Sequence, residues 1–182
     1  MRRIFAAQGL RVWDVERLPT HGGSLRVYGV HDDDARAETP AVQQVLDDEE
    51  RGGLRALAVY RDFQARADRV KDDLLAFLLE QKRAGRTVAA YGAAAKGNTL
   101  LNYAGVKPDL LPYVCDAAPS KQGKFLPGSH IPILPPDALR KQMPDYVLIL
   151  PWNIASEITQ QNAHLAALGT RFLTAVPEIR IT

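Results

Sequence analysis

The sequence predicts an α/β fold: a Rossmann-like, doubly wound parallel sheet, preceded by a β-hairpin and a long amphipathic helix. Three observations carry this expectation. From Thr87 onward, short and almost wholly apolar runs alternate with helical patterns, as in a parallel sheet covered on both faces. Near the start, two runs of alternating apolar and polar residues flank Gly22-Gly23, which reads as an antiparallel hairpin. Between them, a helical apolar period continues from Leu54 to Arg83 without a proline or glycine.

The hairpin strands are Leu10 to Leu18 and Ser24 to Val30, with Pro19-Thr20-His21-Gly22-Gly23 between them. A hairpin alone is marginally stable in water, so this one needs something to pack on. Asp32-Asp33-Asp34 through Thr39-Pro40 is a polar linker, and Thr39 is placed to cap a helix with Pro40 at its first position. That helix runs from about Ala41 to Arg51 and breaks at Gly52-Gly53. In the long helix, Leu57, Phe63, Val70, Leu74, Phe77, Leu78 and Gln81 share one stripe, and Gly85 ends it. The sheet follows: strands at Thr87 to Tyr91, Leu111 to Cys115, His130 to Leu134, Tyr146 to Leu150 and Arg171 to Val176. Helices are expected after Gly97, at Pro136 to Met143 and at Ile154 to Leu168. This organises the chain as a hairpin over 1–31, a linker with helices over 32–84, and a Rossmann-like domain over 85–182.

Composition excludes several classes. Of the 182 residues 46% are hydrophobic and 24% charged, as in a globular protein. A net charge of +2, from 23 cationic and 21 anionic side chains, gives no reason to expect nucleic acid or a membrane surface as partner. Cys115 is the sole cysteine, which rules out an internal disulfide and a cysteine-rich zinc site and suits a reducing cytoplasm. The apolar stretch after Arg3 stops at Gln8, too early for a signal peptide.

The loop after the first sheet strand, Gly92-Ala93-Ala94-Ala95-Lys96-Gly97-Asn98-Thr99, opens a helix. Small residues there let backbone amides approach a phosphate at a helix N-terminus. Asp116, ending the next strand, stands near the ~20-residue spacing of a ribose-binding carboxylate. Two standard patterns each fail at one position. Gly92, Gly97 and Thr99 match a phosphate-binding P-loop, but Asn98 replaces its lysine. Ala94 stands where a dinucleotide fingerprint has its second glycine. The alternative is that both glycines serve only a tight turn and close helix packing. Lys96 points toward an anion, because packing gives it no role.

Further strings extend the pattern: Leu18-Pro19-Thr20-His21-Gly22-Gly23-Ser24-Leu25-Arg26, Cys115-Asp116 with Lys121, Gly123 and Lys124, then Pro127-Gly128, Ile131-Pro132-Ile133 and Pro151-Trp152-Asn153. With the Tyr91 to Thr99 loop, they closely resemble the C-terminal portion of the S-adenosylmethionine (SAM)-dependent sugar-nucleotide C-methyltransferase family. The resemblance implies a substrate-binding, cleft-closing domain acting on a nucleoside-diphosphate keto-deoxysugar. In that family a zinc-binding domain and a SAM-binding methyltransferase domain come first. Residues 1 to about 31 resemble the end of the methyltransferase domain, and neither the zinc cysteines nor the SAM loop is found here. The expectation is therefore a chain that binds no cofactor itself and is inactive alone, with a methyltransferase domain as its missing upstream partner. SAM and zinc are implied for the full-length family member.

The resemblance places His21 at the cleft, where it would contact substrate or assist removal of the proton beside the ketone. Gly22, Gly23, Ser24 and Arg26 belong to the same loop and strand. Gly92, Lys96, Gly97, Asn98 and Thr99 are the candidates for contacts to the diphosphate or sugar. Asp116, Lys121 and Lys124 lie at the same mouth, and Asn153 ends the strongest strand, where it would bond substrate or cap the next helix. Two other readings stay open: a non-catalytic nucleotide- or CoA-binding regulatory module, and an NAD-dependent oxidoreductase.

Overall fold

The computed structural model describes residues 1–20 and 23–182, packed as two compact units, Met1–Phe63 and Gln64–Thr182. In the first, a short helix α1 (Arg2–Ala6) precedes β1 (Leu10–Leu18), which pairs antiparallel with β2 (Ser24–His31). The register runs from Leu10 opposite His31 to Leu18 opposite Ser24, with a bulge between Val12 and Asp14. The extra residue is Trp13. A bulged residue is left out of the ladder, and the Trp13 carbonyl instead accepts the Thr39 amide at 2.9 Å. The linker is tied down beside it, since the Arg36 guanidinium lies 4.9 Å from the Trp13 ring centre and Arg11 donates to the Asp34 carbonyl.

Helix α2 (Pro40–Arg51) starts where Thr39-Pro40 predicts, with Thr39 at the N-cap. The Thr39 side chain does not cap it: its hydroxyl bonds to Asp14 Oδ1 on the hairpin. Val12, Val30 and Val42 are the buried apolar residues described in this unit.

The long helix is shorter than its sequence period. Gly53, at φ +68°, closes α2 with Leu54 N–H on the Glu49 carbonyl, and the chain then makes a 3₁₀ turn at Leu57–Tyr60. The Tyr60 hydroxyl donates back to the Leu54 carbonyl at 2.7 Å. Helix α3 begins only at Phe63 and runs to Arg83. Leu57 and Phe63, expected on the buried stripe, are 74% and 65% exposed. Burial starts at Leu74 and continues through Phe77, Leu78 and Gln81.

The second unit holds β3 (Val88–Tyr91), α4 (Ala95–Tyr103), β4 (Val114–Cys115), β5 (Ile133–Leu134), α5 (Asp137–Gln142), β6 (Tyr146–Ile149), α6 (Ala155–Gln161), α7 (Ala163–Ala167), β7 (Arg171–Thr174) and β8 (Arg180–Ile181). Its six-stranded sheet has the order β5-β4-β3-β6-β7-β8. All pairs are parallel except β7 with β8, a closing strand that the sequence pattern does not announce. This is the doubly wound arrangement, with strand order reversing between β3 and β6.

Alternate residues along each strand feed opposite faces. Val88, Ala90, Leu148 and Leu150 pack with Leu74, Phe77, Leu78 and Leu101 of α3 and α4. Ala89, Tyr91, Val147 and Ile149 pack with Leu139, Ile158 and Leu165 of α5, α6 and α7. Phe77 meets Tyr146 edge to face, ring centres 5.2 Å apart. The helix expected as one piece from Ile154 to Leu168 is broken at Asn162. This residue is buried, its amide donates to the Ile158 carbonyl, and it lies beside the Tyr91 side chain.

The truncated stripe sets up a contrast. Leu74→Ala is expected to destabilise the unit by about 2–5 kcal/mol, while Leu57→Ala stays within about 0.5 kcal/mol of the parent. Urea unfolding followed by circular dichroism reads both; equal losses at the two sites would return Leu57 to the core.

Candidate functional site

The site grows from the switch point between β3 and β6, because both strands end there and their following loops face one another. After β3, the Gly92 amide donates to the Cys115 carbonyl and the Ala94 amide to the Gly92 carbonyl, which turns the chain into α4. After β6, the Leu150 amide donates to the Tyr91 carbonyl at 3.0 Å. Pro151 and a 3₁₀ turn at Trp152–Ile154 follow.

The two glycines are explained by what lies across from them. Gly92 has φ +89°, and a Cβ there would stand 2.5 Å from Pro151 Cδ. Gly97 is buried in the first turns of α4, and a Cβ there would stand 2.5 Å from Leu150 Cβ. Distances this short force backbone or side chains apart. The faces left bare by the missing side chains are filled by the chain itself, so this loop locks two strand ends together at van der Waals range.

Lys96, half-buried one residue before Gly97, reaches across the same junction. Its ammonium donates to Asn153 Oδ1 and lies 4.7 Å from the centre of the Trp152 ring. Among the described residues no carboxylate forms an ion pair with it. Ile154 is the N-cap of α6, with no side-chain cap of its own. Around Lys96, the N-cap Ala94 offers α4 no side-chain cap either. The Asn98 amide donates to the Ala94 carbonyl, while Asn98 Oδ1 is buried without a donor. The Thr99 hydroxyl turns back to the Ala95 carbonyl at 3.1 Å.

Asp116 and Lys121 form a second constellation, centred on Ala93. Asp116 Oδ2 accepts the Ala93 amide at 2.7 Å and the Lys121 ammonium at 3.0 Å, and its Oδ1 accepts the Ala118 amide at 2.8 Å. Lys121 also donates to the Ala93 carbonyl at 3.0 Å. Both polar groups of one loop residue are thus held by one ion pair. Burial pushes the Asp116 carboxyl up, but the Ala118 amide, Lys121 and the Ala93 amide outweigh it and hold it below its ordinary value. Lys124 is exposed on the same loop.

The remaining candidates lie in the first unit. Arg26 pairs across the hairpin with Glu16 at 3.0 Å, and Tyr28 donates to the same carboxylate at 2.9 Å. Ser24 Oγ donates to the Thr20 carbonyl at 3.0 Å, and Gly23 turns at φ +117°. His21 and Gly22 lie outside the described residues. Trp152, Leu150 and Pro151 are the participants that residue-by-residue reasoning did not single out as site residues. Their signal is the Pro151-Trp152-Asn153 string directly after the most apolar strand.

No three His, Cys, Asp or Glu side chains among the described residues are grouped to hold a metal ion, so they do not fit a zinc site. Cys115 is buried, and burial pushes its thiol up to about 12, away from ligand or nucleophile chemistry at neutral pH. No helix among the described residues is long and apolar enough to cross a membrane.

The depressed Asp116 value carries a sign. A carboxyl whose folded pKa lies below its unfolded one stabilises the fold fully above the unfolded value, near 3.8, and loses that contribution as pH falls through the folded value. Asp116→Asn is expected to cost about 1.5–3 kcal/mol at pH 7, the range for hydrogen bonds to a charged group. The gap between parent and variant should narrow as the pH drops below about 3.8. Urea melts at pH 7 and at successive acid steps measure it; a gap independent of pH would mean that the Asp116 charge does not hold the loop.

The family model of the C-methyltransferase C-terminal domain matches residues 19–177. The C-methyltransferase NovU of Streptomyces niveus is 36% identical over 178 residues, which cover 98% of this chain and 42% of that protein. The chain thus spans under half the length of this relative. Among solved structures, UDP-D-quinovosamine 4-dehydrogenase from Vibrio fischeri aligns with a TM-score of 0.38 and 23% identity, covering 49% of this chain and 76% of that one. On the family match and the NovU identity, the chain belongs to the C-methyltransferase C-terminal domain family.

Proposed function

We propose that this chain supplies the sugar-nucleotide-binding, cleft-closing part of a SAM-dependent C-methyltransferase, with a nucleoside-diphosphate keto-deoxysugar as ligand. The observation that carries the reading is Lys96. It is a half-buried cation at the switch point of a doubly wound sheet, where such folds take ligands, and its partners there, Asn153 and Trp152, are neutral. A half-buried cation without a counter-charge among the described residues is poised for an anion from outside, and a diphosphate is the anionic group of the proposed ligand. The uncapped start of α4 beside it adds partial positive charge.

SAM would supply the methyl group in the complete enzyme, and no step of that transfer is assigned to the residues described. Methylation therefore needs a methyltransferase domain, to which residues 1–31 would belong as closing elements. On this reading Ser24 and Arg26 fix the hairpin loop, while Gly92, Gly97, Asn98 and Thr99 shape the floor under Lys96. Against an NAD-dependent alternative stands Asp116. The carboxylate that would read a ribose hydroxyl is occupied by two backbone amides and Lys121.

Calorimetric titration of the chain with a nucleoside diphosphate tests the assignment. Lys96→Ala is expected to weaken binding about 10- to 150-fold, the equivalent of one charge-assisted hydrogen bond. Equal affinity in parent and variant would refute the site.

A further inference from the structure

Lys96 and Lys121 flank the same loop, and each has one hydrogen-bonded side-chain partner, but the partners differ in kind. Lys121 is matched to a carboxylate at 3.0 Å, with Asp116 largely buried beneath it. Its charge is cancelled where it sits. Lys96 is held by an amide oxygen and by the face of an indole. Both groups attract an ammonium, the first as a hydrogen-bond acceptor and the second through the ring quadrupole. Neither carries a charge. An ammonium has three N–H donors and only one is spent on Asn153 Oδ1, which leaves donors for oxygens of an incoming anion.

Holding also matters because a lysine stem is flexible and loses rotamer freedom when it is ordered. Trp152 and Asn153 are placed to remove that freedom in advance. Their own positions are set by the junction: Pro151 is wedged against Gly92 and Leu150 against Gly97, which leaves the next two residues opposite Lys96. We propose that Trp152 and Asn153 are positioning residues that hold the Lys96 ammonium in place with its charge uncancelled, ready for an anionic group of the ligand. This role rests on the anion-binding reading of Lys96 above and adds Trp152, a residue outside the set that the sequence singles out.

The proposal separates from a structural role because stability and affinity move in different directions. The probe is inorganic pyrophosphate, titrated calorimetrically into the whole chain at low salt, with thermal melts in parallel. Trp152→Leu is expected to raise Kd about 3- to 10-fold, and Trp152→Phe, which keeps a ring face, to restore most of it. Asn153→Asp is the decisive variant. It keeps or strengthens the bond to Lys96, so the melt should hold or rise, yet it cancels the charge and should raise Kd about tenfold or more. In a Lys96→Ala background, Trp152→Leu should produce no further loss.

The alternatives read out separately. If Lys96→Ala weakens pyrophosphate binding while Trp152→Leu and Asn153→Asp match the parent, the positioning role is wrong and the anion site stands. If the parent fails to bind pyrophosphate, or Lys96→Ala binds it equally well, the anion site falls and the positioning role with it. Should Trp152→Leu fail to fold, Asn153→Asp and Trp152→Phe carry the comparison. A parent-like Kd in Asn153→Asp would overturn the proposal alone.

Discussion

The contact between the loops after β3 and β6 governs the geometry at the switch point of the sheet. Two parallel strands can be neighbours without their following loops touching. Here Gly92 and Gly97 let Pro151 and Leu150 approach to distances at which a Cβ would collide. The approach fixes the start of α4 and sets Trp152 and Asn153 opposite Lys96. A glycine-rich loop is usually read as a cradle for phosphate. In this fold its glycines serve chain-to-chain packing, and the polar work passes to the side chain between them.

That division has an electrostatic counterpart. Two lysines and one aspartate stand around Ala93 to Lys96, and the aspartate takes one lysine and the backbone of the loop. An ion pair at this depth brings little net stability, because desolvation offsets the attraction. Its value lies in direction: Asp116 and Lys121 together fix both the amide and the carbonyl of Ala93. With the loop so fixed, Lys96 is left as the charge that neutral neighbours hold without cancelling. The same carboxylate that would bind a ribose in a dinucleotide domain has become a strut.

The Met1–Phe63 unit follows a different rule. A two-stranded hairpin has too little apolar surface to stand in water by itself, and its described buried apolar residues are only Val12, Val30 and Val42. Order there comes from polar ties around one irregularity. The bulge at Trp13 frees a carbonyl for Thr39, and the Thr39 hydroxyl bonds to Asp14. The linker is stitched down by Arg11 and Arg36. A residue that looks like a helix cap in sequence thus joins the helix start to the hairpin.

The sequence by itself determined the fold class, the two strands of the hairpin, the start of α2 at Thr39-Pro40, and the turn from β3 into a helix within Gly92 to Thr99. Each depends on neighbours in the chain: a period, a turn residue, or the fixed φ of a proline. It also carried the family, because motifs spread along the chain keep their order and spacing. Tertiary structure decided the rest. The apolar period continues back to Leu57, yet the burial on α3 begins at Leu74 and runs through Gln81, where the helix packs on the core of the sheet. Nothing local breaks the helix at Asn162, whose neighbour Tyr91 lies on β3. The identities of Pro151 and Leu150 as the reason for two glycines, and of Trp152 and Asn153 as the partners of Lys96, depend on β6 lying beside β3. Adjacency of that kind is made by the crossover of the sheet, and more than fifty residues of chain separate the groups it brings together.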